Sequence, residues 1–251
     1  MLLVTNGIDA SSATIAARKP KSDLPDRSEA CENHIQVVDK CATMATYSFV
    51  NPLNPLPTNV NEMKPTCNRI NEGLKCLRAR TKCFAGFTKR VLIVYTNSRS
   101  KHSKSWCNNL SAPQTTLFFR SNQCIKERNK SPRLLIAEKN FISKLQRLTN
   151  MTMKWEQRFH STCCVAESYR LQVIKEVGDG CPEFVTPHED LINSMIGEML
   201  EAVCPDANRL KEICSKLPKV DPLDVWKPKS LTGAALDLIE VLSRDDPSQK
   251  N

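Results

Sequence analysis

Residues 161–170 read Ser161-Thr162-Cys163-Cys164-Val165-Ala166-Glu167-Ser168-Tyr169-Arg170. Two adjacent cysteines on a helix can reach two different neighbours, because successive side chains diverge by about 100°. Read as the opening of a helix that starts after Ser161, the pair sends Cys163 and Cys164 to two different partner elements. A bond between the two cysteines themselves would be strained and is the poorer alternative. The helix continues through Ala166, Tyr169, Val173 and Val177, spaced by three or four residues, and stops at Gly178-Asp179-Gly180. The stretch predicts a helix fastened to two others.

The cysteines elsewhere extend that reading. The 251 residues hold twelve: Cys31, Cys41, Cys67, Cys76, Cys83, Cys107, Cys124, Cys163, Cys164, Cys181, Cys204 and Cys214. Their even number and wide spread predict disulfides and an oxidising compartment; the alternative is a reduced cytosolic protein with buried thiols. No Cys-x2-Cys pair occurs, and none of His34, His102, His160 and His188 has zinc-site spacing, so no metal site and no cofactor are expected. Three glycosylation sequons, at Asn109, Asn129 and Asn150, agree with secretion. The N-terminus does not: after Leu2, Leu3 and Val4 it turns polar, well short of the apolar run of a signal peptide. We read the chain as lacking its native start. No apolar run is long enough for a membrane span.

Only seven glycines are present, too few for a hairpin-rich fold, and helical periodicities recur along the chain, so the expected class is all-α. Residues 1–26 lack periodicity and read as a disordered tail. Residues 27–216 read as one disulfide-stapled domain, and 217–251 as a linker followed by an amphipathic helix bearing Leu236, Ile239 and Leu242. About seven to nine helices are expected, with cysteines near their ends. A first helix carries Cys31 and Cys41. The prolines of Asn51-Pro-Leu-Asn-Pro-Leu-Pro-Thr58 mark a connector. Met63, Cys67, Ile70, Leu74 and Leu77 define the next helix. If it runs far enough, Cys76 and Cys83 share its face. Gly86 reads as a break with Thr88 as N-cap of a helix ending near Cys107. Leu134, Phe141, Leu145, Leu148, Trp155 and Phe159 form a continuous heptad-like stripe. Pro187 opens a helix with Leu191, Met195, Met199 and Val203 inward, and a short helix through Leu210 and Cys214 follows.

The double cysteine also invites comparison with secreted phospholipases A2, whose catalytic helix reads CCxxHDxC. Here Glu167 and Ser168 stand where that chemistry needs His and Asp, and the Gly-rich calcium loop is missing, so this class is excluded. No G-x-S-x-G elbow and no phosphate-cradling loop occurs. Glu183, His188, Glu189 and Asp190 form one ionisable cluster, which reads as decoration of a helix start, where negative charge is favoured.

Residues 67–84, CNRINEGLKCLRARTKCF, resemble a motif of a group of secreted, Cys-rich arthropod proteins of unassigned function. Glu72, Gly73, Leu74, Cys76, Leu77, Thr81 and Cys83 stand in its slots, and Cys107, Cys124, Cys163-Cys164 and Cys181 follow in a similar order. A more distant similarity is to insect haemolymph glycoproteins. The resemblance covers residues 31–214. It implies a secreted helical protein and supplies no activity. Two family cysteines are replaced here, by Leu135 and Gln172.

The charge is uneven. From Lys75 to Arg158 there are 19 Lys/Arg against 3 Glu and no Asp, a net of +16 in a chain whose total is +9. The plainer reading is solvated faces neutralised by the acidic C-terminal third. The functional reading is an anion-binding surface of Arg99, Lys101, Lys104, Lys126, Arg128, Lys130 and Arg133, for a sulfated glycan, an anionic lipid or an acidic protein. Nucleic acid fits poorly, because aromatics are scarce. The sequence thus points to a secreted, non-enzymatic binding protein with a basic central segment. The alternative is a carrier of a small apolar ligand in a helical pocket, as in odorant-binding proteins: Cys67-x8-Cys76 matches one of their spacings, while their Cys-x3-Cys is absent.

Overall fold

The computed structural model describes residues 31–46, 49, 55–193, 197, 200–201, 204–223 and 230–245. The described residues form nine α-helices and no strand. They are α1 (His34–Ala45), α2 (Val60–Arg80), α3 (Gly86–Cys107), α4 (Pro113–Glu127), α5 (Ser131–Asn150), α6 (Trp155–Gly178), α7 (Val185–Ile192), α8 (Ala207–Lys216) and α9 (Leu231–Asp245). The sequence sets several starts. The Asn59 side chain accepts from the Glu62 backbone N–H at 3.0 Å while the Glu62 carboxylate accepts from Thr58 N–H at 2.8 Å, a reciprocal cap on α2. Asp206 caps α8 in the same sense, accepting from Asn208 and Arg209. Proline lies in the first turn of α4 and α5, where its missing N–H costs nothing.

All twelve cysteines are paired: Cys31–Cys83, Cys41–Cys76, Cys67–Cys107, Cys124–Cys181, Cys163–Cys204 and Cys164–Cys214. Three bonds lie within residues 31–107 and three within 124–214. They close loops of 35 to 57 residues, and each such closure contributes about 2–4 kcal/mol, chiefly by restricting the unfolded chain. No disulfide joins the two groups.

α9 joins them instead. It packs against α1 and α3 on one side and α5 and α6 on the other. Leu231, Ala234, Leu236, Leu238 and Leu242 are buried in the common core. Ser230 caps α9 through the Gly233 N–H at 2.8 Å and donates its hydroxyl to the Asp39 carboxylate of α1. At the other end Trp155 Nε1 donates to the Leu242 carbonyl at 2.9 Å, and Arg158 pairs with Asp245 at 2.6 Å. The boundary expected at residue 217 is not the edge of the core, since α9 beyond it is buried there.

Several local expectations are corrected. Cys163 and Cys164 sit inside the 24-residue α6, whose first residue is Trp155; Ser161 is buried within that helix. The continuous stripe from Leu134 to Phe159 is divided at residues 151–154 between α5 and α6. The short connection turns α6 back antiparallel along α5, so Phe141 stacks on Tyr169 with ring centroids 4.5 Å apart. Gly86 begins α3, with φ of 51°, and Thr88 is a buried residue of its first turn; the N-cap position is Ala85. Cys31 precedes α1, and α2 ends at Arg80 before a short 3-10 turn carries Cys83. Cys76 and Cys83 nonetheless both bond into the α1 region. The N-terminal tail, Met195, Met199, Val203 and much of the proline connector lie outside the described residues, and nothing is said of the Leu191 side chain.

Gly73 sets the approach of α1 to α2. A Cβ there would lie 2.5 Å from the Cys41 carbonyl oxygen and 2.7 Å from the Ala45 nitrogen, both backbone atoms that cannot rotate away. Gly73→Ala should lower stability by about 1–3 kcal/mol despite alanine's better helix propensity. A thermal midpoint several degrees below wild type, with all six disulfides formed, is the expected result; an unchanged or higher midpoint would refute the close-approach reading.

Candidate functional site

Both members of the double cysteine are taken up in disulfides. Cys163 reaches Cys204 and Cys164 reaches Cys214 on α8, with Cα separations of 5.9 and 5.6 Å. Cys204 lies in a bend just before α8 and Cys214 on α8 itself, so the two bonds hold α6 to one stretch of chain and not to two separate helices as expected. Glu167, in the slot a catalytic His would fill, forms a two-point pair with Arg170, both contacts at 2.8 Å. Arg170 also holds Glu189 of α7 at 2.8 Å. Its guanidinium pKa is raised, first by the hydrogen bonds it donates to Glu167. The pair fastens α7 to α6.

The residues of the expected anion surface separate into two environments. Arg99 is 1% exposed. Its Nε and one terminal nitrogen donate to the Ala45 carbonyl at 3.3 and 3.0 Å, closing the C-terminal end of α1 with a cation. It is therefore withdrawn from the basic surface. The signal was present in the sequence: Arg99 falls on the buried stripe of Leu92, Thr96, Ser103 and Trp106. Arg158 repeats the device, donating to the Leu148 and Met151 carbonyls at the end of α5 at 3.2 and 2.7 Å. Lys101 and Lys104 are exposed near the end of α3. Lys126, Arg128, Lys130 and Arg133 gather around the α4–α5 turn. Arg133 pairs with Glu176 at 3.5 Å, and the Lys130 side chain lies across Gly180. The basic segment is thus partly internal and partly neutralised. The three sequon asparagines are all exposed. Asn129 has φ of 51°, while the Asn150 amide donates to the Gln146 carbonyl at 2.9 Å.

The ionisable cluster of 183–190 is divided as well. Glu189 is taken by Arg170, and His188 is fully buried. Its Nδ1 lies 2.6 Å from the Ser121 hydroxyl of α4. Among the described residues no group of three or more His, Cys, Asp or Glu could hold a metal ion.

The feature that sequence reading could not locate is a partly open pocket of about 100 Å³ lined by residues of α3, α5, α6 and α9 together with Thr46 and Leu200. Its wall is nearly all apolar and includes Leu92, Leu145, Ala166, Ala235 and Leu236. One polar spot interrupts it, where the Tyr95 and Thr46 hydroxyls hydrogen-bond each other. Burial raises the Tyr95 pKa, against the pull of the nearby Arg99 charge, so the phenol stays protonated. These residues come from distant parts of the chain, and α9 supplies one wall of the space.

His188 generates a pH prediction. Desolvation lowers its pKa to about 4, with the Phe184 backbone opposing the shift. The unfolded chain takes up a proton below about pH 6.5 while the folded one does not, so stability falls as pH drops from there towards 4. Thermal midpoints measured between pH 7 and 4.5 should decline in wild type, and His188→Gln should flatten part of that decline. An equally steep decline in the variant would show that His188 does not cause it.

No protein-family model, no characterised protein and no solved structure matches this chain.

Proposed function

We propose that this is a secreted, non-enzymatic binding protein of extracellular fluid that carries a small apolar ligand between its helices. The observation that carries the reading is the apolar cavity between α3, α5, α6 and α9. Apolar cavities of this size stay dry and accept small apolar molecules. A wall of hydrophobic side chains with few polar groups is the usual chemistry of such sites. The Tyr95–Thr46 hydroxyl pair gives one point at which a ligand's hydroxyl or carbonyl could be oriented. Secretion is supported by six disulfides that use every cysteine, and it accords with the exposed sequons and the arthropod Cys-rich motif around Gly73.

The test uses N-phenyl-1-naphthylamine, which fluoresces in apolar surroundings. Wild-type protein should enhance its emission, and a medium-chain alcohol should displace it. Ala235→Phe, which fills the cavity from α9, should weaken probe binding about tenfold or more with all disulfides intact. No enhancement by wild type, or equal binding by the variant, overturns the carrier reading.

A second reading is favoured by the side chains that do remain exposed: Lys101, Lys104, Lys126 and Arg128. They offer an anionic glycan, lipid surface or acidic protein an electrostatic docking face. Replacing Lys101, Lys104, Lys126 and Arg128 together by Ala should lower the salt concentration that elutes the protein from a heparin column. Unchanged elution would leave these residues as solvated surface.

A further inference from the structure

A second recess lies on the opposite side of α6 from the apolar cavity's wall. Its volume is about 310 Å³. Three elements build it: Lys144 of α5; Ser161, Val165 and Ser168 of α6; and the non-helical strap 217–221. The strap is fastened at both ends. The Cys164–Cys214 bond, which itself borders the recess, anchors it on the α8 side. Beyond Asp221, the Leu223 N–H donates to the Ser143 hydroxyl at 2.7 Å, and Arg147 donates to the Pro222 carbonyl at 3.3 Å. The walls are therefore preformed, and little ordering cost remains for a ligand to meet.

The lining combines three kinds of group. Lys144 and Lys219 bring ammonium groups and Asp221 a carboxylate, and among the described residues none of the three has an ion-pair or hydrogen-bond partner. Ser161 is 2% exposed, and its hydroxyl is buried with no hydrogen-bond partner. A helical serine normally returns its hydroxyl to a carbonyl of the preceding turn, as Thr162 does to Arg158 at 2.8 Å. That oxygen is closed off from solvent, so it costs free energy where it stands and gives a ligand in the recess no direct contact. Val165, Leu217, Pro218 and Val220 supply an apolar side. Two cations, one anion and an apolar wall are complementary to one class of small molecule.

We propose that this recess binds a small zwitterion of the α-amino-acid class. Its carboxylate is held by Lys144 and Lys219, its ammonium by Asp221, and its apolar side chain by Val165 and the strap. The site is separate from the interhelical cavity, so it stands or falls independently of the carrier reading.

The test titrates the full-length, disulfide-intact protein with three probes of one shape, by calorimetry or NMR shift perturbation. They are L-leucine, 4-methylpentanoate, which lacks the ammonium, and 3-methylbutylamine, which lacks the carboxylate. Leucine should bind at least tenfold more tightly than either, with shifts at Val165 and Val220. Lys144→Ala and Asp221→Ala should each weaken leucine binding at least fivefold. No leucine binding, or equal binding of all three probes, overturns the proposal. If Lys144→Ala fails to fold, Asp221→Ala on the exposed strap decides alone.

Discussion

The seating of α9 is the contact on which the rest of the molecule depends. Six disulfides staple the chain, yet they fall into two sets that share no bond. Within each set the covalent links hold helices in register even if packing weakens. Between the sets there is only non-covalent contact, and α9 supplies much of it by burying its leucines against helices from both. Its two ends are fixed by different chemistry. Ser230 ties the first turn to Asp39, and Trp155 with Arg158 holds the last.

The same helix makes the cavity. Ala235, Leu236 and Ile239 form one wall of a space whose other walls are α3, α5 and α6. α9 carries no cysteine, so packing and hydrogen bonds alone hold that wall in place. The recess behind α6 has the opposite character. Its strap is bound at each end, and its lining is polar and charged. One helix, α6, thus separates an apolar space from a polar one, and the adjacent cysteines hold it to the segment that walls the polar side.

Buried cations recur as a structural device. Arg99 and Arg158 both lie in a segment whose net charge suggested a surface. Each instead caps the carbonyl end of an earlier helix, where the partial negative charge of the terminus and the unmet carbonyls favour a guanidinium. Charge counted along a sequence treats every arginine as solvated. Helical phase would have separated Arg99 from Lys101 and Lys104, since only Arg99 continues a buried stripe.

Patterns local in sequence were enough for the fold class and the oxidised cysteines. These follow from residue type and from spacings of three or four, which a helix turns into geometry without reference to anything distant. Gly73 was legible as part of a motif, though not as the point where α1 touches α2. Helix limits were read less well. The stripe from Leu134 to Phe159 keeps its spacing across a turn, so the break at 151–154 was hidden. The pairing of the cysteines, the burial of Arg99, the place of α9 in the core and both ligand-sized spaces were decided only by tertiary structure. Each depends on side chains brought together from positions tens to hundreds of residues apart, and periodicity along one segment carries no information about which other segment will face it.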